Sequence, residues 1–132
     1  MIVMQPKIIL VEDNPVFQTL IIKQFDELFP EVIVFDNGLD AMNEIMNNPP
    51  DLIILDYELI GEMSGLDILK ELKKISASIP IIFFTANIDI SITSSILKVG
   101  VVEYIEKNIF SLPRLKKSVI NALKNSMGQA AV

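Results

Sequence analysis

The sequence predicts an α/β fold: a doubly wound sandwich in which a five-stranded parallel sheet carries helices on both faces. Two observations predict it. Short apolar runs alternate with longer amphipathic stretches from one end of the chain to the other. That is the pattern of successive strand–helix units joined by crossovers. The runs are also nearly continuous in Ile, Val, Leu and Phe, without polar alternation, as strands buried on both faces read.

The five runs are Ile8 to Val11, Val32 to Phe35, Leu52 to Leu55, Ile81 to Phe84 and Val101 to Ile105. After the first, Asn14-Pro15 supplies an N-cap followed by proline at the first helical position. Phe17, Leu20, Ile21, Gln24 and Leu28 follow at helical spacing, and Pro30 should close that helix. Asp36-Asn37-Gly38 turns the chain into a second helix from Leu39 to Met46, which Asn47-Asn48-Pro49-Pro50 ends. Ser64-Gly65 opens a third, with Leu66, Leu69 and Leu72 on one face and Lys70, Glu71, Lys73 and Lys74 on the other. A fourth runs from about Asp89 to Lys98 and stops at Gly100. The fifth begins near Ser111, has Pro113 in its first turn, and turns Leu115, Val119, Ala122 and Leu123 inward. Residues 1–127 read as one domain with its core at 7–126, and 128–132 as a tail.

Composition narrows the chemistry. With 132 residues and half of them hydrophobic, one domain can bury a sizeable core. The longest apolar runs are four or five residues, far short of the ~20 that a spanning helix needs. The N-terminus has no basic, apolar and small-residue succession of a secretory signal, so the domain reads as soluble and unexported. Cysteine and histidine are both absent. That excludes a thiol nucleophile, a Ser-His-Asp triad and a thiolate or imidazole metal site. Any general base is then a carboxylate, and any metal site is built from oxygens. A net charge of −6, with no basic stripe, argues against direct nucleic-acid binding. Arg114, Lys116, Lys117 and Lys124 thicken the positive charge near the end only as a solvated helix face.

In a doubly wound sheet the ligand sits beyond the carboxyl ends of the strands. Strand one ends in Glu12-Asp13, strand three in Asp56 and strand four in Thr85, while Lys107 follows strand five. Taken singly, each has an ordinary explanation, since loops are polar and Asp caps helices. Taken together, they bring carboxylates to one buried edge. Such crowding costs several kcal/mol unless a cation neutralises it. A hard divalent ion, Mg²⁺ with Mn²⁺ as the alternative, suits oxygen ligands and the lack of histidine. A lysine across the site and a hydroxyl between are groups that would surround a phosphoryl group. Asp56, at the tip of an apolar strand, is then the nucleophile, and its attack on phosphorus would give an acyl phosphate.

These residues resemble the receiver domain of two-component response regulators, over about Lys7 to Ser126. The resemblance rests on IILVEDN (Ile8 to Asn14), LIILDYEL (Leu52 to Leu59), PIIFFTA (Pro80 to Ala86) and VEYIEKN (Val102 to Asn108), in that order and at those separations. It implies a flavodoxin-like (βα)5 sandwich with strand order 2-1-3-4-5. Asp56 would be the phosphoacceptor, served by a sensor histidine kinase or a histidine phosphotransfer protein. Asp13 would ligate the metal directly, Glu12 through water, and Glu58 by its backbone carbonyl, with Asp56 completing the set. Thr85 and Lys107 would bind the arriving phosphoryl group. Thr85 and Tyr104 would form the switch that alters the face of helix four, strand five and helix five, for a downstream protein target or output domain. Glu58 and Asn87 occupy positions that tune dephosphorylation in the family. A dimer formed on phosphorylation is the further partner implied, and the apolar stretch Ile88 to Ile92 is a candidate patch for such contacts. Catalysis would extend only to the domain's own phosphorylation and dephosphorylation, so the chain is not read as an enzyme.

Two departures from the family pattern stand out. Ile60 occupies the place of a proline, and Gly65 arrives one position late, so the loop from Leu59 to Gly65 carries an extra residue. Asn108 replaces the proline that usually follows the lysine, where a cis bond is common. A cis bond before a non-proline residue costs ~2.5–4 kcal/mol, so the loop after Lys107 should run differently or be more mobile. Three rival readings fit the pattern less well. A haloacid-dehalogenase-type aspartyl-phosphate hydrolase would want its nucleophile after the first strand. A nucleotide-binding domain would need G-x-x-x-x-G-K-[ST], which is absent. A phosphorylation-independent receiver-like module would have no use for the full acidic set. The chain ends soon after helix five, as either a stand-alone regulator or the receiver portion of a longer protein would.

Overall fold

A computed structural model describes residues 5–29, 31–75, 78–86 and 89–127. The strands are β1 (Ile8–Val11), β2 (Val32–Phe35), β3 (Leu52–Leu55), β4 (Ile81–Thr85) and β5 (Glu103–Glu106). The helices are α1 (Pro15–Phe25), α2 (Gly38–Asn47), α3 (Gly65–Ile75), α4 (Ile90–Val99) and α5 (Leu112–Met127), with one 3₁₀ turn at Ile109–Ser111 before α5. All strand pairs are parallel and their order is 2-1-3-4-5. The doubly wound architecture is therefore the one expected.

The apolar runs divide their residues between two cores because successive side chains of a strand point to opposite faces. Ile8, Leu10, Leu52, Ile54, Ile82 and Phe84 pack with α1 and α5. Ile9, Val11, Ile53, Leu55, Ile81 and Phe83 pack with α2, α3 and α4. Burying each such side chain is worth about 1.5–3 kcal/mol, so β1, β3 and β4 anchor both layers. The expectation of strands buried on both faces fails at the sheet edges. Every residue of β2 is only half-buried, and β5 buries only Ile105 fully. An edge strand has one neighbour and less helix cover. The fifth strand also starts two residues later than its apolar run suggests, taking in Glu103 and Glu106.

Helix ends follow local chemistry. The Asn14 side chain accepts from the N–H groups of Val16 and Phe17, and Asp89 likewise accepts from Ser91 and Ile92. Ser64 and Asp67 exchange hydrogen bonds across the first turn of α3, a capping-box arrangement. Gly100, at φ +108°, closes α4, a conformation natural to glycine. The first helix is shorter than its periodicity predicts. It stops at Phe25, whose carbonyl accepts from both Leu28 and Phe29, so Leu28 lies outside the helix and is exposed while Phe29 is buried. Pro30, Asn87, Ile88 and the 128–132 tail lie outside the described residues.

Candidate functional site

Parallel register assembles the site. Val11 pairs with Leu55, Leu55 with Phe83, and Thr85 with Glu106, so the residues that follow each strand meet at one edge. The Asp56 N–H donates to the Val11 carbonyl at 3.1 Å, which continues the β1–β3 ladder one step and fixes Asp56 beside Glu12. The Lys107 N–H donates to the Thr85 carbonyl at 2.8 Å, which does the same for β5 against β4. Glu12, Asp56 and Thr85 are almost wholly buried, at 1%, 3% and 0% exposure.

Lys107 is the hub. Its Nζ donates to Asp56 Oδ2 at 2.7 Å and to the two Glu12 oxygens at 2.8 and 3.0 Å. The same ammonium lies 5.3 Å from the centroid of the Phe17 ring, within cation–π range. Phe17 in turn packs edge-on against Phe84. Burial raises the Glu12 carboxyl above its ordinary 4.5, against the opposing hydrogen bonds from Lys107 and the Asn14 amide. Burial works against the charge on Lys107, but its hydrogen bonds to Asp56 and Glu12 prevail and raise it above 10.5.

The remaining acid, Asp13, is half-buried, and its Oδ2 accepts from the backbone N–H of Ile60 at 3.1 Å. Glu12, Asp13 and Asp56 each offer one oxygen such that all three lie within 4.8 Å of one another. Opposite oxygens around Mg²⁺ at ~2.1 Å each stand ~4.2 Å apart, so small side-chain movements close this spacing. An all-oxygen, strongly anionic donor set fits a hard divalent cation.

Glu58 is exposed, and its N–H donates to Asp56 Oδ1 at 3.0 Å, so both Asp56 oxygens are held. Tyr104 is half-buried on β5, outside the carboxylate cluster. Its ring stacks on Phe83 with centroids 6.0 Å apart. Burial raises its hydroxyl above 10.0, opposed by a hydrogen bond with Thr93. Asn87, the other tuning candidate, falls outside the described residues.

The extra loop residue is absorbed without moving Gly65 from the site. A Cβ on Gly65 would lie 2.1 Å from the Asp56 carbonyl oxygen and 2.9 Å from Tyr57 Cα, so only glycine allows this approach. The chain bulges outward instead at Ile60, 80% exposed, and at Gly61, whose φ is +115°. After Lys107, the bond to Asn108 is trans. Asn108 precedes the 3₁₀ turn, accepting from Ser111 N–H by its carbonyl and from Ser111 Oγ by its side chain.

Two contributors escaped sequence reasoning. The Gln18 amide donates to the Glu12 carbonyl at 2.6 Å, and Phe17 sits beside Lys107. Both are on the first turns of α1, where a glutamine or an aromatic carries no signal of its own. Gln18 faces the loop only because the N-cap fixes the helix start.

Residues 8–120 match the response regulator receiver domain family. The chain belongs to it. The receiver is 28% identical over 126 residues to the Regulator of RpoS of Escherichia coli strain K12, covering 96% of this chain and 37% of that protein. It is 30% identical over 117 residues to Regulatory protein LuxO of Vibrio cholerae, covering 89% of this chain and 25% of that protein. The chain thus spans about a third or a quarter of the length of these relatives. Among solved structures, a signal receiver domain from Vibrio parahaemolyticus superposes with a TM-score of 0.86 at 29% identity, covering 93% of each chain. The phosphorylated cyanobacterial phytochrome response regulator RcpA matches with a TM-score of 0.77 at 26% identity over 98% of each chain.

Proposed function

We propose that this receiver is a divalent-metal-dependent phosphoacceptor that takes a phosphoryl group onto Asp56 from a sensor histidine kinase or a histidine phosphotransfer protein. The observation that carries the reading is the junction of Asp56, Glu12, Asp13 and Lys107 at one buried sheet edge. Four charged groups held there stabilise nothing in the fold that apolar residues could not supply, which points to chemistry. The phosphorylated state of RcpA, a relative of the same length and fold, supports the same reading.

In the proposed reaction an Asp56 oxygen attacks the phosphorus of the donor phosphohistidine. The new P–O bond forms as the P–N bond breaks, and the imidazole leaves with the bonding pair and takes up a proton. Glu12, Asp13 and Asp56, with the Glu58 carbonyl, would hold Mg²⁺ or Mn²⁺, which supplies charge neutralisation on the transferring oxygens. Lys107 already touches Asp56 and needs only a small movement to pair with the incoming phosphoryl group. Thr85, fixed at the end of β4, offers its hydroxyl to the same group. Glu58, beside the acceptor, and Asn87 govern the access of the water that hydrolyses the product.

The readout runs through Thr85 and Tyr104 to the face of α4, β5 and α5. There Ile90, Thr93, Ser94, Tyr104, Glu106 and Arg114 line a cleft of about 310 Å³, which a downstream protein, an output domain or a second copy would cover after phosphorylation. This receiver unit, residues 1–127 in the cytoplasm, acts by such contacts and binds neither nucleic acid nor membrane itself. No helix among the described residues is long and apolar enough to cross a membrane.

Intact-mass spectrometry after incubation with acetyl phosphate tests the reading. One phosphoryl group is expected on the wild type with Mg²⁺, and none on Asp56→Asn or after chelation. Phosphoryl uptake by Asp56→Asn, or uptake indifferent to metal, overturns it.

A further inference from the structure

We infer that the backbone N–H of Ile60 is a positioning group for the metal site, pinning Asp13 so that the β3–α3 loop and the β1–α1 loop close on the cation together. The inference rests on the proposed metal site and deepens it.

The contact joins residues 47 positions apart: the Ile60 N–H donates to Asp13 Oδ2 at 3.1 Å. It is a charge-assisted bond, stronger than a neutral one. A carboxylate has about four acceptor positions on its two oxygens, so one N–H leaves Oδ1 and the remaining lone pairs for a cation. Among the described residues, the two more buried acids are held in place by several groups. Glu12 is fixed by Lys107 and the Asn14 N–H, and Asp56 by Lys107 and the Glu58 N–H. Asp13 alone of the three accepts no hydrogen bond from Lys107, and its donor, the Ile60 N–H, comes from the widened loop. That loop is where the chain departs from the family pattern. A proline at position 60 has no N–H to give, so this bond depends on the residue found here. The Ile60 side chain itself is 80% exposed, so the backbone carries the contribution.

Groups that orient metal ligands from behind commonly affect affinity roughly 10–100-fold. For a partly solvated contact the expected effect is at the low end, about tenfold. Titration calorimetry with Mg²⁺ alone is the test, on wild type, Ile60→Pro and Ile60→Ala. The expected result is a Kd about tenfold weaker in Ile60→Pro and unchanged in Ile60→Ala, which keeps the N–H and removes the side chain. Thermal melts of the metal-free proteins separate this from a folding defect. Amide exchange on the wild type gives an independent reading: the Ile60 N–H should stay protected when Mg²⁺ is added. Equal or tighter binding by Ile60→Pro, or loss of Ile60 protection on metal addition, overturns the inference. Failure of the wild type to bind Mg²⁺ would instead overturn the metal site itself.

Discussion

Lys107 shows how far one side chain decides the state of this site. Its ammonium is shared between two carboxylates that are 1% and 3% exposed, so it supplies the positive charge that lets both stay buried. Removing one partner of a buried ionic cluster leaves uncompensated charge, which costs about 3–5 kcal/mol. Lys107→Ala should therefore lower the stability of the metal-free protein by about that much, and saturating Mg²⁺ should recover part of it. Urea unfolding with and without the cation measures both effects. The prediction fails if the variant is as stable as the wild type without metal.

Among the elements, the loop from β3 to α3 is tightly constrained where it enters the helix and open to solvent in its middle. At Gly65 the helix start lies against the Asp56 carbonyl, and the space a Cβ would need is taken by backbone atoms of Asp56 and Tyr57. None of them is a flexible side-chain tip that could swing away. Gly65→Ala should cost about 1–3 kcal/mol as an overpacking change. Because the clash falls on Asp56, phosphoryl uptake from acetyl phosphate should drop in the same variant. Chemical denaturation and intact mass check the two outcomes together. If uptake is retained with a normal melt, the close approach matters less than the geometry implies. The middle of the loop tolerates its extra residue because Ile60 and Gly61 extend into solvent, where an insertion displaces no packed neighbour.

For the whole molecule, the paired cores set the stability and the acidic edge sets its dependence on conditions. Glu12 has its carboxyl raised by burial, so the folded protein holds that proton more tightly than the unfolded chain does. Its contribution to stability is full below 4.5 and is lost as pH rises through the folded value. A divalent cation needs the ionised form, so it acts in the opposite direction. The stabilisation by Mg²⁺ should grow as pH rises through the mildly acidic range and level off once Glu12 is ionised. At a hundredfold excess over Kd it should reach about 2.7 kcal/mol. Thermal shift across a pH series, with and without Mg²⁺, is the measurement. A Mg²⁺ effect independent of pH would remove Glu12 from the proposed cation site.

The sequence by itself determined the order of elements, because apolar runs, N-caps and glycine stops are local signals that need no distant partner. Asn14, Asp89 and Gly100 mark helix ends in the structure where the sequence places them. It also located the acids and the lysine at strand ends, since a parallel α/β sheet brings all such ends to one edge. Tertiary structure decided what depends on neighbours far along the chain. The half-burial of β2 and β5 follows from their edge positions, and the early end of α1 from the burial of Phe25 and Phe29. The roles of Gln18 and Phe17 are visible only once α1 docks beside Lys107. The Ile60–Asp13 bond was decided in the same way: the missing proline showed that an N–H was available there, but only the folded loop aims it at the carboxylate.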